Sequence, residues 1–375
     1  MFFGGSGLTR PADAEAVAKR LLEVLAEPFV VAGENLTQHA SIGVVAWDRV
    51  RENSTELIQD ADAALYEAKR AGKGRYVLFT PSMRQRAVSS YSIVQELEQA
   101  LQSDEISMSY QPIVKLAENK VVGFEALMRW AHPERGQVPP DVFIPLAERS
   151  DLIFGLGSFA LREAISAARA WSRSADPSNR PYVTVNCSAR QFHDPNLLSV
   201  IEETLTAGGL EPSLLFLEIT ESVALADIVG TTSMIEHLDH LGIGIALDDF
   251  GTGYSSLSYL ALLRPKIIKI DKSFVSPARE SLYSDKLLEA IVSLGQKLDM
   301  IVLAEGIETQ VQLDRLLDLG CDLGQGYLFS PAVPAREVAA LLDRSSGIRA
   351  KRNTARTPAV PRVSRPRTRL RSKRP

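Results

Sequence analysis

Six times between residues 121 and 305 an apolar run ends on an acid or an amide. Glu125 follows Val-Val-Gly-Phe, Asn186 follows Val-Thr-Val and Glu218 follows Leu-Leu-Phe-Leu. Asp248 and Asp249 follow Ile-Gly-Ile-Ala-Leu, Asp271 follows Lys-Ile-Ile-Lys-Ile and Glu305 follows Ile-Val-Leu-Ala. Counting the runs ISMSYQPIV and DLGQGYLF, eight candidate strands lie between Ile106 and about Val338. They are separated by helical patterns such as FALREAISAARAWSR, TTSMIEHLDHLG and DKLLEAIVSLGQKLD. Short apolar runs alternating with amphipathic helices over roughly 250 residues predict an α/β fold, a (β/α)8 TIM-like barrel, with a doubly wound open sheet as the alternative. The first two strands are joined only by Ala117-Glu118-Asn119-Lys120, too short for a parallel crossover, so that pair is expected to be antiparallel.

In a barrel the C-terminal strand ends share one face, so the polar residues that close the runs can converge there. Each acid alone is better explained as a helix cap or a solvated side chain; six at successive strand ends are not. Several carboxylates held together cost several kcal/mol unless cations or protons neutralise them. With oxygen donors and no His or Cys ligand motif, the expected ion is hard, Mg2+ or Mn2+ before Zn2+. Two such ions roughly 3.5 to 4 Å apart suit displacement at phosphorus, which points to a phosphodiesterase. Asp248 and Asp249 would face opposite sides of a regular strand, so the strand must end there if both bind metal. Lys269 shares a face with Asp271 and needs acidic partners if buried. His132, in an expected loop, and His237 and His240, on a helix, are read as structural.

The N-terminal 80 residues read as a compact α+β unit. A helix is expected over residues 11–27, then a hairpin of FVVAG and LTQHASIGVVAW around Gly33, Glu34 and Asn35. A helix capped by Ser54 or Thr55 and a strand at YVLFT follow. Residues 81–102 form a linker that includes a helix from about Met83 to Gln102, with Ile93, Leu97 and Leu101 on one face. The main domain then spans 103–344. Between Ser345 and Pro375 there are eleven Lys or Arg and no acid. The whole chain carries a formal −4, so residues 1–344 carry −15. This basic, proline-containing tail is expected to be disordered, with nucleic acid or anionic lipid as its electrostatic partners or with no dedicated partner. Two cysteines, Cys187 and Cys321, are too few for a disulfide framework. No apolar run reaches a membrane span and no secretory leader pattern opens the chain, so a cytoplasmic location is expected.

Two resemblances follow from these motifs. ASIGVVAW and DADAALYEAKRAGKGRY are similar to the C-terminal half of GGDEF diguanylate cyclase domains. The upstream strands of that domain have no counterpart, and in FFGGSGL the residues Ser6 and Gly7 stand where its turn needs two acids. A truncated, degenerate domain without cyclase activity is therefore expected. EALMRW, VNCSARQF, LEITES, DDFGTGYSSLSYL, KIIKIDKSF, AEGIE and GQGYLFSPA closely resemble the EAL-domain cyclic di-GMP phosphodiesterases over residues 88 to 344. Met128, where that family shows Leu, is the one departure in the signature.

The resemblance implies hydrolysis of cyclic di-GMP to linear pGpG by a homodimer. It assigns Glu125, Asn186, Glu218, Asp248 and Asp249 to two metal ions without dividing them between the ions. Glu305 would hold or deprotonate the attacking water, and Lys269 would orient it or stabilise charge on the phosphate, kept charged by Asp271. Gln111, Arg129 and Gln325 would contact substrate. Gly251 and Gly253 would shape a loop coupling the metal site to the dimer contact, with Glu221 as its anchor. The alternative of a different class is a non-catalytic cyclic di-GMP receptor or signalling scaffold.

Overall fold

The computed structural model describes residues 11–26, 29–31, 34–36, 40–45, 54–70, 74–174, 179–251, 257–275 and 282–347. FFGGSGL, Gly253 and the chain beyond Gly347 lie outside them.

The predicted barrel is present. Its strands are β1 (Ile106–Lys115), β2 (Lys120–His132), β3 (Tyr182–Asn186), β4 (Leu215–Thr220), β5 (Gly244–Phe250), β6 (Ile267–Ile270), β7 (Ile301–Ala304) and β8 (Leu323–Gly324). The six neighbours from β2 to β7 pair in parallel, as does β8 with β7. β1 runs antiparallel to both β2 and β8 and closes the ring. The short loop after β1 forces this reversal, as the sequence indicated.

Period-two alternation sorts every strand into an outward and an inward set. Outward side chains, including Phe124, Val183, Val185, Leu217, Ile219, Ile245, Leu247, Ile268, Ile270 and Val302, share one core with helix residues such as Ala164, Ile165, Ala168 and Trp171. Both faces of the sheet are thus covered, which is why the strands read as nearly continuous apolar runs. Inward, Ile113, Ala246, Ile267, Leu303 and Leu323 pack with Tyr182 and Phe216 and plug the barrel. The two rings lie 4.9 Å apart. Space for them comes from residues lacking a side chain: a Cβ on Gly244 would stand 2.3 Å from the Phe216 ring, and one on Gly123 2.6 Å from the Tyr182 ring.

The linker helix spans Pro81–Ala100 and buries Ile93, Leu97 and Ala100 against Ile106, Trp130, Phe143 and Leu156. It also holds the N-terminal unit. Arg84 binds Asp60, whose side chain is 0% exposed, at 2.7 Å, and Arg86 binds Glu67 at 3.1 Å; both acids lie on helix Ser54–Arg70. The guanidinium of Arg149 stacks 4.4 Å over Tyr66 of the same helix. Nearer the C-terminal end of the linker helix, Glu96 accepts from Arg135 at 2.8 Å and lies 3.2 Å from His132.

Four expectations are corrected. The long N-terminal hairpin is two three-residue strands, Phe29–Val31 and Glu34–Leu36, so Glu34 and Asn35 lie in a strand and not in the turn. Ile42–Val44, read as a continuation of that hairpin, instead pairs in parallel with Tyr76–Leu78, because helix Ser54–Arg70 provides the crossover between them. His132 closes strand β2, which runs into the expected loop by pairing with Gly136–Val138. Ser345–Gly347, placed in the tail, complete helix Val338–Gly347. Among the described residues no helix is long and apolar enough to cross a membrane.

Gly244→Ala should destabilise the barrel by about 1–3 kcal/mol, since the new methyl must displace a packed ring; urea unfolding measures this. The Arg135 and Ser92 hydrogen bonds to Glu96 lower its pKa from 4.5 to about 2. A depressed carboxylate contributes stability above its unfolded pKa and loses it as pH falls through the folded one. Glu96→Gln should therefore flatten the stability profile between about pH 4.5 and pH 2, and leave its slope above pH 5 unchanged.

Candidate active site

One step above the apolar plug, the same alternation places a polar layer. Thr184, Glu218, Asp248, Lys269, Glu305 and Gln325 each lie two residues beyond Tyr182, Phe216, Ala246, Ile267, Leu303 and Leu323. On the reversed strand β1, Gln111 lies two residues before Ile113, and Glu125 is its register partner on β2.

The layer is organised around Lys269. Its side chain is 1% exposed, and Nζ lies 2.6 Å from Glu218 Oε2, 2.8 Å from Glu305 Oε1, 3.3 Å from Asp248 Oδ2 and 3.7 Å from Glu125 Oε1. Burying an ammonium costs several kcal/mol. One ion pair near 4 Å returns about 4 kcal/mol at an effective dielectric of about 20, so several carboxylates more than offset the burial. Burial works to lower the Lys269 pKa, but Glu125, Glu218, Glu305 and Asp248 raise it well above its ordinary 10.5.

The acids are driven apart. Burial raises Glu125, but the Lys269 charge and hydrogen bonds from Gln325 and Asn186 outweigh it and leave it below the usual range. Asn186 Nδ2 donates to Oε1 at 3.0 Å and Gln325 Nε2 to Oε2 at 2.5 Å. Gln325 Nε2 also reaches Gln111 Oε1 at 3.0 Å. Burial, followed by the Glu125 charge, pushes Glu218 well above the usual range, and burial raises Glu305 to about 7. Environments that separate carboxyl pKa values in this way mark acid–base sites.

Asp248 and Asp249 follow a path the sequence did not show. Strand β5 does not end there. Its register against β6 slips by one residue between Leu247 and Phe250, a bulge, and Asp249 takes φ +56. The bulge re-aims the strand, and the Asp249 N–H donates to Asp248 Oδ1 at 2.8 Å. The Asp249 pKa is raised by partial burial and then by Asp248 and Asp271. Asp271 does not supply the partner of Lys269: its carboxylate accepts the Ser273 N–H at 2.9 Å, and four other acids surround the ammonium. One residue past the Lys269–Ile270 segment, Asp271 has left the strand and caps the following turn.

Arg129 lies four residues beyond Glu125 on the same face of β2 and donates to the Met128 carbonyl at 2.9 Å; among the described residues it has no recorded carboxylate partner. Glu221 is buried, and its Oε2 accepts the N–H of Gly251, the residue that opens the loop after β5. Thr184, the register partner of Glu125, was not singled out in the sequence. Reading Tyr-Val-Thr-Val-Asn with period two would have placed it inside.

Among the described residues, no three His, Cys, Asp or Glu side chains stand arranged as a ready cation cage. The donor set still fits a hard divalent cation. Four carboxylates face one ammonium, and the buried Glu218 Oε1 has no hydrogen-bond partner while Oε2 takes Lys269. Glu125, Asn186, Glu218, Asp248 and Asp249 are the residues that would hold such ions.

An EAL domain model matches residues 94–332, and a model of the diguanylate cyclase GGDEF domain matches residues 6–75. The chain is similar to the bifunctional diguanylate cyclase/cyclic di-GMP phosphodiesterase MucR of Pseudomonas aeruginosa, 37% identical over 88% of this chain and 48% of that protein. It is also similar to the cyclic di-GMP phosphodiesterase NbdA of the same organism, 37% identical over 87% of this chain and 42% of that one. The chain therefore spans less than half the length of either relative. A solved structure of the PaMucR phosphodiesterase in complex with c-di-GMP aligns with TM-score 0.64 and 38% identity, covering 66% of this chain and 99% of that one.

Glu221→Ala removes a buried charged acceptor, a change of about 2–3 kcal/mol. It should accelerate hydrogen exchange at the Gly251 amide by tenfold or more while exchange in strand β7 stays slow.

Proposed function

The chain belongs to the EAL-domain family, and from that premise we propose that it hydrolyses cyclic di-GMP to linear pGpG with two divalent cations, Mg2+ or Mn2+. The observation that carries this reading is the layer of Glu125, Glu218, Asp248 and Glu305 around one buried ammonium at the strand ends. Such a layer is over-supplied with negative charge and has an unpartnered oxygen on Glu218.

When bound, the cations supply Lewis acidity toward a phosphoryl oxygen of the substrate. The side chains of the protein do the remainder. Glu305 stands at the rim of the layer and takes the proton of the attacking water as its oxygen approaches phosphorus. Lys269, beside it at 2.8 Å, holds the carboxylate in place and faces the charge that grows on the phosphoryl group. The bond from phosphorus to one ribose oxygen breaks, that oxygen takes a proton from solvent, Glu305 returns its own proton to solvent, and the ring opens to a linear dinucleotide. Arg129 offers a guanidinium to the second phosphate or to a guanine edge. Gln325 donates to Glu125 and to Gln111 Oε1, and both amides are proposed to contact substrate. Asp271, whose charge helps to raise the Asp249 pKa, is the further residue proposed to contact substrate. No cyclase activity is proposed for the N-terminal unit, because Ser6 and Gly7 replace the acids that such a turn needs.

Cleavage of cyclic di-GMP by the purified chain, followed by chromatography of the nucleotides, tests the reading. Mg2+ or Mn2+ should give a linear dinucleotide and Ca2+ should support much less, since it prefers more and longer oxygen contacts. Glu305→Gln should retain substrate binding and lose at least 100-fold in rate. Glu125→Ala should lose turnover and weaken metal binding together. Tight binding without any product in the folded wild-type chain would establish a receptor instead.

A further inference from the structure

Three features were not used by the reaction above: the ionic seam between Arg84 or Arg86 and helix Ser54–Arg70, the acid–base group of Glu96, His132 and Arg135, and the way in which Lys269 is shared. The last goes furthest. Lys269 Nζ is within 4 Å of an oxygen on Glu125, Glu218 and Asp248, three residues that the metal reading needs, as well as on Glu305. Glu218 divides its two oxygens: Oε2 holds the ammonium, while Oε1 is buried and has no partner. Among the described residues, no trio of His, Cys, Asp or Glu forms a cation cage.

An ammonium and a divalent ion cannot occupy one set of oxygens at contact distance without strong repulsion. Withdrawing the ammonium, on the other hand, leaves buried carboxylates that require another cation. We propose that Lys269 is a built-in counter-ion that keeps the acidic layer folded before metal binds and competes with the divalent ions for Glu218, Asp248 and Glu125. With metal bound, those three carboxylates would serve the ions and Lys269 would keep Glu305 as its partner. The lysine thereby sets the metal affinity of the site, in addition to any role in the chemical step. This inference rests on the metal-dependent reading of the same site.

The test uses the whole chain and two readouts other than turnover: calorimetric titration with Mn2+, and thermal melting with Mn2+ or with chelator. Lys269→Met should lower the melting midpoint in chelator, tighten Mn2+ binding at least tenfold, and show a larger rise in midpoint on adding Mn2+ than the wild-type chain. Lys269→Arg, which keeps the charge, should stay within about threefold of wild-type affinity. A merely structural lysine predicts the reverse sign, because its loss would disorder the ligands and weaken the metal. Unchanged or weaker Mn2+ binding by a folded Lys269→Met chain overturns the proposal. Should that variant not fold in chelator, Lys269→Gln, which retains a hydrogen-bond donor, decides by the same titration. A wild-type chain that binds no Mn2+ at all refutes the metal reading itself and this inference with it.

Discussion

A single buried ammonium holds the functional end of this barrel together. Without Lys269 the carboxyl groups of Glu125, Glu218, Asp248 and Glu305 would repel one another in a layer largely shielded from water. With it, strands β2, β4, β5, β6 and β7 are tied to one point, since each contributes one of the five charged groups. The pKa pattern follows from that geometry. Glu125 receives two amide donors beside the Lys269 charge and is held below the usual range, whereas burial and the neighbouring acids raise Glu218 and Glu305. The polar layer is therefore a network in which each member depends on the others.

Below it, the apolar plug determines where the charged groups can sit. Tyr182 and Phe216 fill the barrel only because Gly123 and Gly244 leave room, and the position two residues along each strand is then lifted to the mouth. Outward residues on the same strands pack against the helices. A strand such as Lys-Ile-Ile-Lys-Ile thus meets two environments in alternation: Ile267 in the plug, Ile268 under the helices, Lys269 in the polar layer and Ile270 under the helices again.

Much of this was legible in the sequence because two strong signals coincide, the apolar runs and the acids that close them. All eight strands, the antiparallel first pair and the convergence of Glu125, Asn186, Glu218, Asp248 and Glu305 could be read from residue type and spacing, and for Lys269 the need for acidic partners. What was not legible depends on local departures from regular geometry. The bulge at Asp248 and Asp249 puts one non-glycine residue at φ +56, which an aspartate tolerates but does not announce. Asp271 was paired with Lys269 by alternation, yet the strand stops at Ile270 and the carboxylate turns to Ser273. In the N-terminal unit, the run from Leu36 to Trp47 looked like one strand. Sequence alone does not show that Ile42–Val44 finds its partner across a helix, at Tyr76–Leu78, and not across a turn.

The reversed direction of β1 has a mechanical corollary. In a barrel of uniformly parallel strands the polypeptide enters at the closed pole, remote from the reacting groups. Here Ile106 pairs with Trp130 near the outer end of the long strand β2, and the chain runs inward from that lip to Gln111 and only then to the plug at Ile113. The helix Pro81–Ala100, clamped to its neighbour through Asp60 and Glu67, is thereby tethered to the open pole. From the end of that helix, the covalent path to an amide touching Gln325 is as short as Ala100 to Gln111. A twist or pull on the N-terminal unit is delivered at the doorway and not at the foundation.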